Sequence, residues 1–208
     1  MFDSPLMILV FCAAALYCLK IWREDYLSAR RGSPNPRALP GATGVPAIAI
    51  WVGVIGAILL VLLETAGEIH LGVSSQQTTI PAIALLSMLA AGIIEEIIFR
   101  GYIIIDKRGT NMLIASAMVF SLIFALLHYQ YYTEIPEDGN WRDMSLVIDS
   151  KSLWSLFLLY LNSLWFYTVR FFRLNPQHSL LPCFAAHIAS NFAVFMVKLA
   201  QGHVVGWW

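Results

Sequence analysis

Glu95, Glu96 and Arg100 stand together inside an apolar run, residues 80–105, that is otherwise fit to cross a bilayer. An ionised side chain at the centre of a spanning helix costs roughly 2.5 to 3.5 kcal/mol even on insertion scales, so three of them so close together call for a function. On a helix Glu96 and Arg100 are one turn apart with the acid on the N-terminal side, the order that favours an ion pair. Glu95 points about 100° away around the axis. It is free to face a cavity while its neighbour is neutralised, and a carboxylate so placed suits general-base chemistry. Two further apolar runs contribute His128, His187 and Asn191. His187 and Asn191 share one helix face, and His128 follows Phe124 by one turn. A carboxylate and a histidine can together deprotonate water, while a second histidine and an amide donate to a developing oxyanion. That set of groups suits hydrolysis of an amide.

The elements that must position these groups are membrane helices. Of 208 residues, 59% are hydrophobic and 12% charged, with a mean hydropathy of +0.69, well outside soluble composition. Six runs, 5–22, 45–63, 80–105, 112–129, 153–172 and 180–199, each approach the ~20 residues of a span. The expected fold is therefore all-α, a multi-pass bundle of about six spanning helices around an intramembrane cavity. It forms one integral-membrane domain over 1–208, with a catalytic core at about 80–200 and N-terminal anchor helices within 5–63. The first run has Asp3 before it and Lys20, Arg23, Arg30 and Arg31 after it, the reverse of a secretory signal, and reads as a retained anchor. Basic residues gather in the connection at 20–44, at Lys107 and Arg108, and at Arg170 and Arg173. The intervening loops are assigned Glu64 and Glu68, then Glu134, Glu137, Asp138, Asp143 and Asp149 against Arg142 and Lys151. The positive-inside rule makes the basic connections cytoplasmic and both termini external.

Trp51, Tyr129, Tyr131, Tyr132, Trp154, Trp165, Trp207 and Trp208 read as rings anchored at the headgroup level. The loop at 130–152 has room for a short interfacial helix. Cys12, Cys18 and Cys183 lie in apolar runs without metal-ligand spacing, and Ala90-Ala91-Gly92 reads as close helix packing. The zero formal charge gives no sign of nucleic-acid binding.

Glu95-Glu96-Ile97-Ile98-Phe99-Arg100-Gly101, then Phe124-Ala125-Leu126-Leu127-His128, then His187-Ile188-Ala189-Ser190-Asn191 resemble the three ordered motifs of the CPBP family, the CAAX proteases and bacteriocin-processing enzymes also called Abi proteins. The resemblance implies a glutamic-type intramembrane endopeptidase with no covalent acyl-enzyme, no cofactor and no obligatory metal. Carried over by motif, Glu95 is the base that activates water, His128 its partner, and His187 with Asn191 the oxyanion stabilisers. Glu96 and Arg100 brace the site, and Phe124 packs beneath His128. The family's fold is described with eight membrane helices, so six makes this a compact member. The implied partners are the bilayer and a membrane-anchored or lipidated protein substrate: a CAAX tail, a bacteriocin precursor or the sorting helix of an exported protein. The expected location is the bacterial cytoplasmic membrane.

Two other classes compete. One is a non-enzymatic immunity or scaffold protein on the same fold. The other is a metal-dependent hydrolase or transporter, since two glutamates and two histidines form a possible divalent-metal set. Depth poses a further constraint. Measured from the loop at Lys107 and Arg108 at 1.5 Å per residue, Glu95 lies about 15 Å deep and His128 about 25 Å. A tilt, a helix break near Gly101 or Gly109, or a dipping loop must bring them to one level.

Overall fold

Six helical passes account for nearly all of the structure, a computed structural model that describes residues 5–134, 142 and 144–207. They are α1 (Pro5–Arg30), α2 (Ala47–Leu71), α3 (Ala84–Glu95), α4 (Thr110–Leu127), α5 (Ser150–Phe171) and α6 (Leu181–Ala200). Five of these are long and apolar enough to cross a membrane; α3 is not among them. It runs into a π-helical stretch, Glu96–Tyr102, and then an irregular connection to α4. The protein is an all-α, multi-pass membrane bundle. The third run is therefore one broken pass, and the break includes Gly101, one of the places where the depth constraint allows for it.

Tyr167 on α5 holds the break in place. Its hydroxyl lies 3.0 Å from the carbonyls of both Phe99 and Ile103, groups that a widened turn removes from the regular ladder. In lipid such freed carbonyls need a partner from a neighbouring helix.

Other differences from the sequence reading follow from packing. The first helix continues past Trp22 to Arg30 because its inner end is tied down. Asp25, buried, accepts from the Leu39 amide and the Asn35 side chain, and Trp22 donates to the Pro40 carbonyl. Glu64 and Glu68 are not loop residues but belong to the last turns of α2. Trp165 is no interfacial anchor. Its indole donates to the Gly53 carbonyl at 2.9 Å and lies across Gly56, where a Cβ would meet the ring at 2.2 Å. At 130–152 the described residues form a 3-10 turn, Tyr129–Tyr131, and two paired two-residue strands, β1 (Thr133–Glu134) and β2 (Ser145–Leu146), in place of an interfacial helix. Glu137, Asp138, Asp143 and Trp208 fall outside the described residues.

The bundle interlocks through α6, which packs against both α2 and α3, while α4 leans on α5. On α3, Gly92 lets α6 approach so closely that a Cβ would sit 3.2 Å from Ile188. This contact brings His187 level with the end of α3. Entry into α5 is set by a capping box: Asp149 accepts from the Ser152 amide at 2.7 Å, and the Ser152 hydroxyl accepts from the Asp149 amide. That backbone bond holds the Asp149 carboxyl below its usual range, since it favours the charged form.

At one end the connections 31–46 and 172–180 meet. The Leu180 amide donates to Gly41 at 3.0 Å, the Ser179 hydroxyl to Thr43, and Gly101 lies beside Pro40 and Leu180. All the basic connections therefore share one face. Residues 77–83 pair at the opposite end with 198–207, as in Ile80 to His203 and Ala82 to Gly206.

Because the Gly56–Trp165 contact admits no side chain, Gly56→Val is expected to lose about 1 to 3 kcal/mol through overpacking. Thermal unfolding in detergent, read beside Gly44→Ala, where a Cβ meets nothing nearer than the Gln177 side chain at 3.9 Å, checks that the loss comes from contact with the indole.

Candidate active site

The end of α3 and the π-helical turn separate the two acids. Glu96 and Arg100 are both fully buried and paired at 3.0 Å. The same Glu96 oxygen accepts from Nδ1 of His187 at 2.7 Å, a link between α6 and the π turn that spacing within one helix does not reveal. Arg100 continues the network through Nη2 to the Ser163 carbonyl at 3.0 Å and to its hydroxyl at 2.6 Å. Ser163 in turn donates to Ser121 on α4. Around the guanidinium stand Phe124 and Tyr167 at 4.8 Å, Phe166 at 5.1 Å and Phe99 at 5.9 Å, a cage whose ring faces favour a cation. Three segments of chain thus converge on one charge, and α6 joins them through Glu96.

Glu95 has the opposite character. Its side chain is one-quarter exposed, and one oxygen lies 3.8 Å from Nε2 of His187, beyond hydrogen-bond length. With Nδ1–H given to Glu96, Nε2 is the ring nitrogen that faces Glu95. Phe166 stacks on the imidazole at 4.7 Å and 20°, fixing the plane of His187 between the two carboxylates.

His128 ends α4 and turns back onto it. Its Nδ1 lies 2.8 Å from the Phe124 carbonyl; a carbonyl only accepts, so this nitrogen carries the proton and Nε2 offers a lone pair. The Phe124 ring supports it from beneath, with centroids 4.7 Å apart, and also meets His187 at 6.3 Å. Phe124 is therefore the piece that joins His128 to the rest. The depth mismatch is taken up by the broken third pass, since Phe124 high on α4 reaches Arg100 just beyond α3. Asn191 uses its amide to donate to the Met88 carbonyl across α3 at 2.7 Å, and its second N–H has no partner among the described residues.

Among the described residues no three His, Cys, Asp or Glu side chains gather in the manner of a metal site. Glu96 meets an arginine, and the protonated nitrogen of His128 is spent on a carbonyl. Ser121, Ser163 and Tyr167 were not singled out from sequence; a hydroxyl at a helix interior carries no signal until the helices are docked.

The sequence profile described as type II CAAX prenyl endopeptidase Rce1-like matches residues 77–193, more than half of the chain and all three motif segments. The chain belongs to this family of CAAX-type membrane proteases. No curated protein and no solved structure matches it.

Removing one partner of a buried ion pair leaves an uncompensated charge and costs about 3 to 5 kcal/mol. Arg100→Met is expected to fall in that range, and adding Glu96→Gln to it to restore part of the loss by removing the stranded carboxylate. A double-mutant cycle on unfolding midpoints in detergent measures this; an additive pair would show that the two side chains are not coupled.

Proposed function

We propose that the protein is a glutamic-type intramembrane endopeptidase, with Glu95 as the base that activates water. The observation that carries this is the division between the two acids: Glu96 is buried and committed to Arg100 and His187, whereas Glu95 is partly open, has no hydrogen bond to the described residues and faces an imidazole at 3.8 Å. A carboxylate left free beside a fixed polar framework is placed for general-base work.

In the proposed reaction a water molecule gives its proton to Glu95, assisted by the lone pair on Nε2 of His128, and the hydroxide oxygen bonds to the carbonyl carbon of the scissile peptide. The carbonyl oxygen becomes an oxyanion, stabilised by the second amide N–H of Asn191 and, when it carries a proton, by Nε2 of His187. The carbon–nitrogen bond then breaks, the Glu95 proton passes to the leaving amine, and the products are a carboxylate and an amine. Glu96 and Arg100 touch no substrate and position His187. The proposed substrate class is a membrane-anchored or lipidated protein, processed during maturation or removal of a sorting signal. The segregated basic connections fit a bacterial cytoplasmic membrane.

Glu95→Gln keeps the shape and removes the base, so cleavage of candidate anchored precursors is expected to fall by roughly 100-fold or more, the usual share of general-base catalysis, with the unfolding midpoint unchanged. His187→Ala is expected to abolish cleavage as well. Blotting of precursor and product in membranes from cells expressing each variant reads the outcome. Processing that persists in Glu95→Gln sinks the assignment, and loss of wild-type cleavage in chelator replaces it with metal-assisted hydrolysis.

A further inference from the structure

The end of the bundle opposite the basic connections contains a second polar network, built from residues far apart in sequence. Glu68, almost wholly buried on α2, accepts from Lys151 at the start of α5 and from Gln77 at 2.5 Å. Gln77 accepts in turn from Lys198 at the end of α6, at 2.7 Å, and Lys198 also donates to the Thr78 carbonyl. The chain of bonds joins one acid and two lysines and ties three helices to residues 77–78.

Glu64 lies one turn nearer the bundle centre on the same helix face. Its carboxylate interacts electrostatically with Glu68, Lys151 and Lys198 but has no hydrogen bond to the described residues, while its carbonyl accepts from the Trp154 indole at 3.0 Å. Tyr131, three residues after His128, interacts with Glu64, Glu68 and Glu95 alike, and its ring lies 6.4 Å from that of His128. Through its ring contact with His128, Tyr131 joins this end of the bundle to the proposed site. Toward the basic end an apolar core intervenes: Trp22, Ala42, Ile97, Val169, Leu180, Cys183 and Phe184 are buried together, beginning one residue beyond Glu96 and reaching to within one turn of His187, with Arg170, Asn175 and Ser179 buried at that same end.

We propose that the active site is served from the outer end of the bundle, through a polar vestibule with Glu64 at its neck, so that its substrate is a polypeptide presented at the outer face of the membrane and not a cytoplasmic lipidated tail. The orientation follows from the charges. Arg30, Arg31, Arg37, Lys107, Arg108 and Arg173 mark the closed end as cytoplasmic. Hydrolysis consumes water, the apolar core excludes it, and a carboxylate inside the membrane without a hydrogen-bond donor from the described residues is satisfied by solvent in a polar cavity. The substrate class rests on the protease reading; the vestibule does not.

The test uses the full chain with Cys12, Cys18 and Cys183 replaced by serine or alanine. Single cysteines are placed at Glu64 and Tyr131 in the vestibule, at Ser75 on the outer turn and at Ser33 in the basic connection. A membrane-impermeant methanethiosulfonate is applied to spheroplasts and to inverted vesicles. Glu64→Cys and Tyr131→Cys are expected to react with Ser75→Cys from the outer side, at least an order of magnitude faster than from the inner side, where Ser33→Cys reacts. Modification of the two vestibule positions from the inner side only, or from neither side while both controls react, overturns the proposal. Labelling does not depend on cleavage: outer labelling with unimpaired processing in Glu95→Gln removes the protease assignment and leaves the vestibule, and inner labelling with inactive Glu95→Gln does the reverse. Cleavage of a precursor whose scissile bond is exposed only to the cytoplasm overturns the substrate class.

Discussion

The Arg100 guanidinium is the charge around which the bundle is assembled. It is fully buried in a place where an isolated ion would be forbidden, so every neighbour is arranged to make it tolerable. Glu96 supplies the opposite charge, Ser163 supplies two acceptors, and four aromatic rings supply their electron-rich faces. The arrangement is incomplete: one Glu96 oxygen and the Arg100 Nε have no partner among the described residues. Buried pairs of this kind contribute little net stability and are strongly penalised when halved. Their effect here is one of registry. The charge is met where α4 and α5 dock on the broken pass, and Glu96 in turn holds His187 of α6 between two carboxylates.

Legibility from sequence followed the range of the interactions. Contacts within one helix could be read from spacing: Glu96 with Arg100, His128 above Phe124, and the small residues at 90–92 against a neighbour. The segments themselves were visible because lipid demands long apolar runs. Contacts between helices were not visible. The hydrogen bond from His187 to Glu96 depends on how α6 slides along α3, which Gly92 and Ile188 decide together. In the π-helical stretch Ile97, Ile98 and Phe99 would continue an α-helix, and Gly101 near its end marks a weak point without specifying a widened turn. A tyrosine more than sixty residues away sustains it.

The acids of α2 show a different failure. Glu64 and Glu68 end an apolar run, and a hydropathy window stops where charge begins, so the sequence alone places them in a loop. The helix continues through them because Lys151 and Gln77, from distant segments, neutralise and bond Glu68. Trp165 was misplaced for a related reason: an aromatic near the end of a run resembles an interfacial anchor until a glycine on another helix is found beneath it.

Glu95 and Glu96 are the same amino acid, so nothing in their chemistry distinguishes the proposed base from its structural neighbour. Phase alone does. A π-helical stretch is an α-helix with one residue to spare, and that residue sets the angle at which the chain leaves α3 and enters the arginine cage. Removing a single residue between Glu96 and Arg100 would turn everything before it by about 100°, enough to carry one acid out of the cage and the other toward it. The two roles belong to angular positions, and the family's signature can be seen as a measured length of chain as much as a set of residue types.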